Sequence, residues 1–125
     1  LIIRSMVAQR KLNLTLVPCP IVREASGLAM SSRNERLSPQ GKAQAAFIYQ
    51  VLTEAKERFA SHSVEEVTAF VKEQFAEKAE VELEYFIIAD ERTLQPAITK
   101  EAGVAYRAFI VAYIEGVRLI DNLAF

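Results

Sequence analysis

The apolar positions of this chain change period several times, and each change marks a candidate element. Near the start, Ile2, Met6 and Val7 fall at helical spacing, with Arg4, Arg10 and Lys11 toward the other face or the end, so the last turns of a helix are expected up to about Lys11. Asn13 then gives way to Leu14-Thr15-Leu16-Val17, a β-branched and apolar run stopped by Pro18 and Pro20. That pattern predicts a short buried strand. A helix feeding a buried strand is the half-unit of an α/β domain and it occurs here once, so the rest of such a domain is expected upstream.

Between Arg23 and Leu37 neither regular period holds. Gly27, Ser31, Ser32, Asn34 and three arginines predict a polar connecting loop. Ser38-Pro39 then combines an N-cap residue with proline at the first helical position, and Ile48, Leu52, Ala55 and Phe59 share one face of a helix running to about Ala60. Ser63 with Glu66 three residues later has the capping-box pattern, ahead of Val67, Phe70, Val71 and Phe75 at helical spacing. From Glu80 the period becomes two. Val81, Leu83, Tyr85 and Ile87 are expected on one face of a half-exposed strand, with Glu80, Glu82 and Glu84 on the other. Arg92 to Gly103 reads as a connection, and Tyr106 to Ile114 is rich in strand formers. Glu115-Gly116 can turn the chain back into Val117 to Ile120 as a hairpin. The predicted fold class is α+β, with two helices packed on a small antiparallel three-stranded sheet, preceded by a terminal helix-strand remnant of an α/β domain.

Composition narrows the function without choosing it. The chain has 125 residues, 51% hydrophobic and 25% charged, with a net charge of −1, enough apolar material for one core and no basic field for nucleic acid or an acidic membrane surface. Charge is uneven: residues 1–35 hold five Lys or Arg against two Glu, and residues 36–125 hold ten against fourteen acidic groups. An anion site therefore belongs early in the chain. One cysteine, Cys19, cannot close an internal disulfide, which suits a reducing cytoplasm, and one histidine, His62, makes a zinc site improbable. Every apolar run is interrupted before the roughly 20 residues that span a bilayer. The start, Leu1-Ile2-Ile3-Arg4, has no initiator Met and no leader pattern, and reads as a cut inside a longer protein.

The stretch with chemical content is Gly27-Leu28-Ala29-Met30-Ser31-Ser32-Arg33-Asn34. Gly27 permits a tight backbone, Ser31 and Ser32 offer hydroxyls, and Arg33 offers a planar, permanently charged fork that matches phosphate oxygens. Composition alone favours the plainer reading, a polar linker with one solvated arginine. Taken with Pro18-Cys19-Pro20-Ile21-Val22-Arg23-Glu24 before it and Arg118-Leu119-Ile120-Asp121-Asn122 near the end, in that order and at similar spacing, it resembles the pantothenate synthetase family, the pantoate β-alanine ligases.

The resemblance implies a Rossmann-like nucleotide-binding domain followed by a smaller domain that covers the active site, so residues 1–35 would be the end of the first with its phosphate loop and residues 36–125 the C-terminal lid. The family joins pantoate to β-alanine using ATP and Mg²⁺ through a pantoyl adenylate, releasing pyrophosphate and then AMP. Ala29 to Arg33 would be a divergent form of the KMSKS-type signature. Ser31, Ser32 and Arg33 would contact ATP phosphates, Arg33 stabilising the charge that grows there, and the backbone near Val22 and Met30 would border adenine. Family members are expected to be cytoplasmic homodimers. Their upstream histidine signature, phosphate-binding lysine and pantoate-binding glutamines have no counterpart here, so this stretch alone is expected to be inactive and to bind no cofactor tightly.

Other polar residues carry plainer expectations. Cys19 is expected to be structural beside the strand at residues 14–17, His62 a solvated loop residue, Glu80, Glu82 and Glu84 a solvated strand face without a metal, and Asp121-Asn122 a structural pair. A second reading is a small interaction module that receives a partner on a sheet face of Phe86, Ile88, Phe109, Val111 and Tyr113.

Overall fold

The computed structural model describes residues 2–125. Its two long helices begin where the caps were expected. In α2, Pro39–Phe59, the Ser38 hydroxyl accepts a hydrogen bond from the Gly41 N–H at 3.0 Å and Pro39 occupies the first turn, where no N–H partner is needed. In α3, Val64–Ala76, the box closes in both directions: Glu66 N–H donates to Ser63 Oγ at 3.1 Å and Ser63 N–H donates to Glu66 Oε2 at 2.7 Å. Ala45, Ile48, Leu52, Ala55 and Phe59 of α2 and Val64, Val67, Val71 and Phe75 of α3 are buried, the stripes that helical spacing predicts.

Those stripes cover one face of an antiparallel sheet ordered β1-β2-β3, with β1 Glu82–Asp90, β2 Tyr106–Ile114 and β3 Val117–Ala124. In register, Phe86 pairs with Ile110 and Ile110 with Asp121, while Ile88 pairs with Ala108 and Ala112 with Leu119. Phe86, Ile88, Ala108, Ile110, Ala112, Ile114, Val117 and Leu119 join the helices in one core. The strict alternation expected of β1 does not survive. The register shifts between Leu83 and Tyr85, and an irregularity of that kind reverses which parity faces inward, so Val81 is buried before it and Phe86 and Ile88 after it. Tyr85 and Ile87 consequently lie exposed on the far face. The same reversal corrects the proposed docking surface: Phe86 and Ile88 belong to the core, whereas Phe109, Val111 and Tyr113 take the opposite parity on β2.

The β2–β3 turn uses positive φ at Glu115 (50°) and Gly116 (74°), the handedness that a two-residue hairpin requires. The Glu115 carboxylate accepts from the Ser38 N–H at 2.8 Å and from the Ser38 hydroxyl, which fastens the hairpin tip to the start of α2.

Before Arg23 the chain is differently placed. Helix α1, Ile2–Gln9, buries no residue. The strand expected at residues 14–17 does not form: Leu14 is 51% and Val17 79% exposed, and neither belongs to a ladder. A strand is stabilised by paired neighbours, and no neighbouring strand reaches this run among the described residues. Cys19, expected beside a buried strand, is exposed and free. From Leu28 onward the chain rejoins the fold, since Leu28 and Leu37 are members of the same core as the sheet and helices.

Candidate functional site

The segment between Val22 and Arg36 is a small folded structure. An isolated antiparallel bridge joins Arg23 to Ala29, Glu24 N–H donates to Leu28 O at 2.8 Å, and Met30 N–H donates to Val22 O at 2.9 Å. Gly27 turns the chain at φ 90°, and a Cβ there would stand 2.3 Å from Cδ1 of Tyr49 on α2. Only glycine meets both the backbone and the space requirement. Buried Leu28 anchors the turn from below.

Arg23 fixes this hairpin to the sheet. Its two terminal nitrogens meet both carboxylate oxygens of Asp121 on β3, at 2.6 and 3.0 Å, and also donate to Gly27 O at 3.0 Å and Asn122 O at 3.4 Å. The guanidinium lies 3.9 Å from the centroid of the Tyr49 ring. Side-chain exposure is 16% for Arg23 and 4% for Asp121, so this is a largely desolvated, bidentate pair. Asp121 sits at the parity of β3 that otherwise carries Val117 and Leu119 into the core, and a carboxylate there needs a cation to be tolerated.

The hairpin presents its tip outward. Ser31 caps a 3₁₀ helix, Ser32–Arg36, accepting from Arg33 N–H at 3.2 Å, and Ser31, Ser32 and Arg33 are all exposed. Beneath them Asn34 is buried and donates through Nδ2 to Glu24 Oε1 at 2.9 Å and Ala29 O at 3.1 Å, which ties the 3₁₀ helix to the hairpin. Its Oδ1 has no partner among the described residues. Arg33 forms no ion pair there either, in contrast to Arg23 with Asp121, Arg107 with Glu91 and Arg118 with Glu84. A cleft of about 240 Å³ separates the tip from β3, lined among others by Ile21, Met30, Ser31, Arg33, Arg118 and Ile120.

The five residues singled out in the sequence therefore come together. Val22 and Met30 are a hydrogen-bonded backbone pair at the mouth of the hairpin, and Ser31, Ser32 and Arg33 follow on its outer rim. Chemically the arrangement offers two hydroxyls and an uncommitted guanidinium on one exposed edge, a set suited to an anion with several oxygens. Glu84, on the strand face expected to be solvated, forms a bidentate pair with Arg118 at 2.7 and 2.9 Å, and that contact first of all holds its carboxyl below the usual range. Among the described residues no group of three His, Cys, Asp or Glu is gathered that could hold a metal. Sequence reasoning missed Arg23, Tyr49 and Asn34 as the supports of the tip. Arg23 and Asp121 both lie in the segments that carried the resemblance, but they are 98 residues apart, and nothing in the order of residues pairs them.

A family model described as Pantoate-beta-alanine ligase matches residues 1–124. The chain belongs to the pantoate-beta-alanine ligase family. It is 52% identical over 123 residues to the pantothenate synthetase of Christiangramia forsetii, an alignment covering 98% of this chain and 44% of that protein. The crystal structure of pantothenate synthetase from Thermus thermophilus superposes with a TM-score of 0.84 at 34% identity, over 97% of this chain and 44% of that one. The pantoate-beta-alanine ligase of Francisella tularensis, solved in complex with beta-gamma ATP and beta-alanine, matches with a TM-score of 0.59 at 29% identity, over 98% of this chain and 38% of its own. The chain thus spans less than half the length of the relatives it matches.

Proposed function

We propose that this chain is the phosphate-loop and lid portion of an ATP-dependent ligase that joins pantoate to β-alanine through a pantoyl adenylate. The observation that carries the reading is Arg33, an exposed guanidinium without an ion-pair partner among the described residues, beside Ser31 and Ser32 on a rim whose base is buried and hydrogen-bonded. Family membership across residues 1–124 supports it, as does the nucleotide and beta-alanine complex of the Francisella relative.

In this reading the carboxylate of pantoate attacks the α-phosphorus of ATP, an oxygen–phosphorus bond forms, and the bond to pyrophosphate breaks. Negative charge grows on the departing group, and Arg33 with the Ser31 and Ser32 hydroxyls meets it. The attacking carboxylate needs no general base from this chain. The amine of β-alanine then displaces AMP from the acyl carbon. Mg²⁺ accompanies ATP as part of the substrate, and the backbone around Val22 and Met30 borders adenine. Residues 1–35 close the nucleotide-binding domain and residues 36–125 form the lid, with the loop fastened to the lid side through Leu28, Leu37 and Arg23. Pantoate, β-alanine and most of ATP contact the nucleotide-binding half that the relatives possess, so this chain alone turns over no substrate. The resemblance further supports a homodimer acting in the cytoplasm.

In a protein of the relatives' full length, Arg33→Ala is expected to slow single-turnover pantoyl adenylate formation by about 10²-fold or more, with a smaller effect on ATP affinity. Arg33→Lys recovers part of the loss, because the charge remains and the fork does not. Arg36→Ala, one turn further along the same exposed helix, leaves the rate nearly unchanged. Equal rates in wild type and Arg33→Ala would sink the reading.

A further inference from the structure

The four hydrogen-bonded contacts of Arg23 leave no terminal fork for a phosphate, since the donors on both terminal nitrogens are committed to Asp121, Gly27 and Asn122 and one face of the guanidinium is covered by Tyr49. Its position is nevertheless informative. It touches the hairpin turn at Gly27, β3 at Asp121 and the middle of α2 at Tyr49 together, and the exposed rim begins at Ser31, four residues beyond Gly27. A buried pair of this kind is a poor source of net stability, because desolvation offsets most of the attraction, yet it accepts only one geometry. An apolar pair at the same two positions would hold the hairpin down and let it slide.

We propose that Arg23 is the positioning residue of the phosphate loop, its bidentate pair with Asp121 setting where Ser31, Ser32 and Arg33 stand relative to β3. The inference rests on the phosphate-loop reading given above for what the rim binds, but not for how the rim is held. Asn34 completes the mount from below through Glu24 and Ala29 O. Arg23 acts through Arg33 and touches no substrate.

Two measurements separate this role from a merely structural one. In this chain, Arg23→Lys should accelerate amide exchange at Gly27 and Met30, whose N–H groups close the hairpin, by about 10-fold, with Ile110 in β2 unaffected. Asp121→Asn, which keeps the shape and removes the charge, should do the same. Unchanged exchange at Gly27 and Met30, or an equal rise at Ile110, overturns the proposal. In a protein of the relatives' full length, Arg23→Lys should slow adenylate formation by about 10-fold with little change in ATP affinity, and should add less than about 2-fold when Arg33 is already Ala. Losses that multiply in full show that Arg23 does not act through Arg33. If Arg33→Ala alone costs nothing, the phosphate-loop reading fails, while the exchange result still decides whether Arg23 holds the hairpin.

Discussion

Residues 14–17 and β2 are written in the same alphabet and end in opposite states. Leu14-Thr15-Leu16-Val17 is as apolar and β-branched as Tyr106 to Ile114, yet its flanking residues stand in solvent, whereas Ile110, Val111, Ala112 and Ile114 are all buried. The difference lies outside both segments. β2 has β1 on one edge, β3 on the other and helix α2 against its face, while the earlier run has no ladder partner among the described residues. Strand propensity measures how well a side chain suits a pleated surface, and it has no effect until that surface exists.

The comparison is sharpened most by removing the same kind of group from each side. Leu52 is fully buried between α2 and the sheet, so Leu52→Ala forfeits its transfer energy and leaves a cavity, at an expected cost of about 2–5 kcal/mol. Val17→Ala should lie within about 0.5 kcal/mol of wild type in this chain, because its side chain is already in water. Urea unfolding of both variants gives the two numbers, and comparable losses would mean that Val17 is buried in solution and the contrast is false.

The same contrast separates what is legible in the sequence from what is not. Caps and helical stripes are local, and Ser38, Ser63 and Glu66 appear where their spacing put them. The hairpin at Glu115-Gly116 is also local. The parity of β1 is not legible because an irregularity between Leu83 and Tyr85 leaves no mark in composition, and residues 14–17 spell a buried strand that does not form because burial depends on neighbours. At the candidate site the rim residues Ser31, Ser32 and Arg33 were legible as a motif. Their support was not, since the Arg23–Asp121 pair and the Tyr49 platform under Gly27 bring together residues from three distant parts of the chain.

Gly27 stands where the packed region takes hold of the chain, which makes it the next place to break the comparison. Gly27→Ala places a methyl group against Tyr49 and asks an L-residue to hold φ 90°. The strain should cost about 1–3 kcal/mol if the hairpin stays docked. The alternative is that the hairpin lets go, and then the loss in global stability is small while Leu28 becomes exposed. Thermal unfolding together with exchange at the Leu28 amide tells the two apart, and an Ala variant with wild-type stability and wild-type protection would show that the turn has room the structure does not indicate.

The smallest expected effect uses acid, to which the two regions cannot respond alike. Residues 1–22 contain no Asp or Glu, so any carboxylate-linked loss of stability arises in the packed region. Glu115 is one source. Its bond from the Ser38 hydroxyl, and next the bond from the Ser38 N–H, hold its carboxyl below the ordinary value of 4.5 in the folded state. A folded value below the unfolded one means that the folded state favours the ionised form, so the contribution is complete above the ordinary value and is lost as pH falls through the depressed one. Glu115 is solvent-exposed, which screens the interaction and keeps the effect small. Glu115→Gln should therefore be less stable than wild type at pH 7, with the gap closing toward pH 3 as the wild-type carboxylate takes up its proton. Chemical denaturation at both pH values measures that gap. A gap of the same size at pH 3 and pH 7 would show that the tip is held to α2 by shape and neutral hydrogen bonding alone, with no part played by the charge on Glu115.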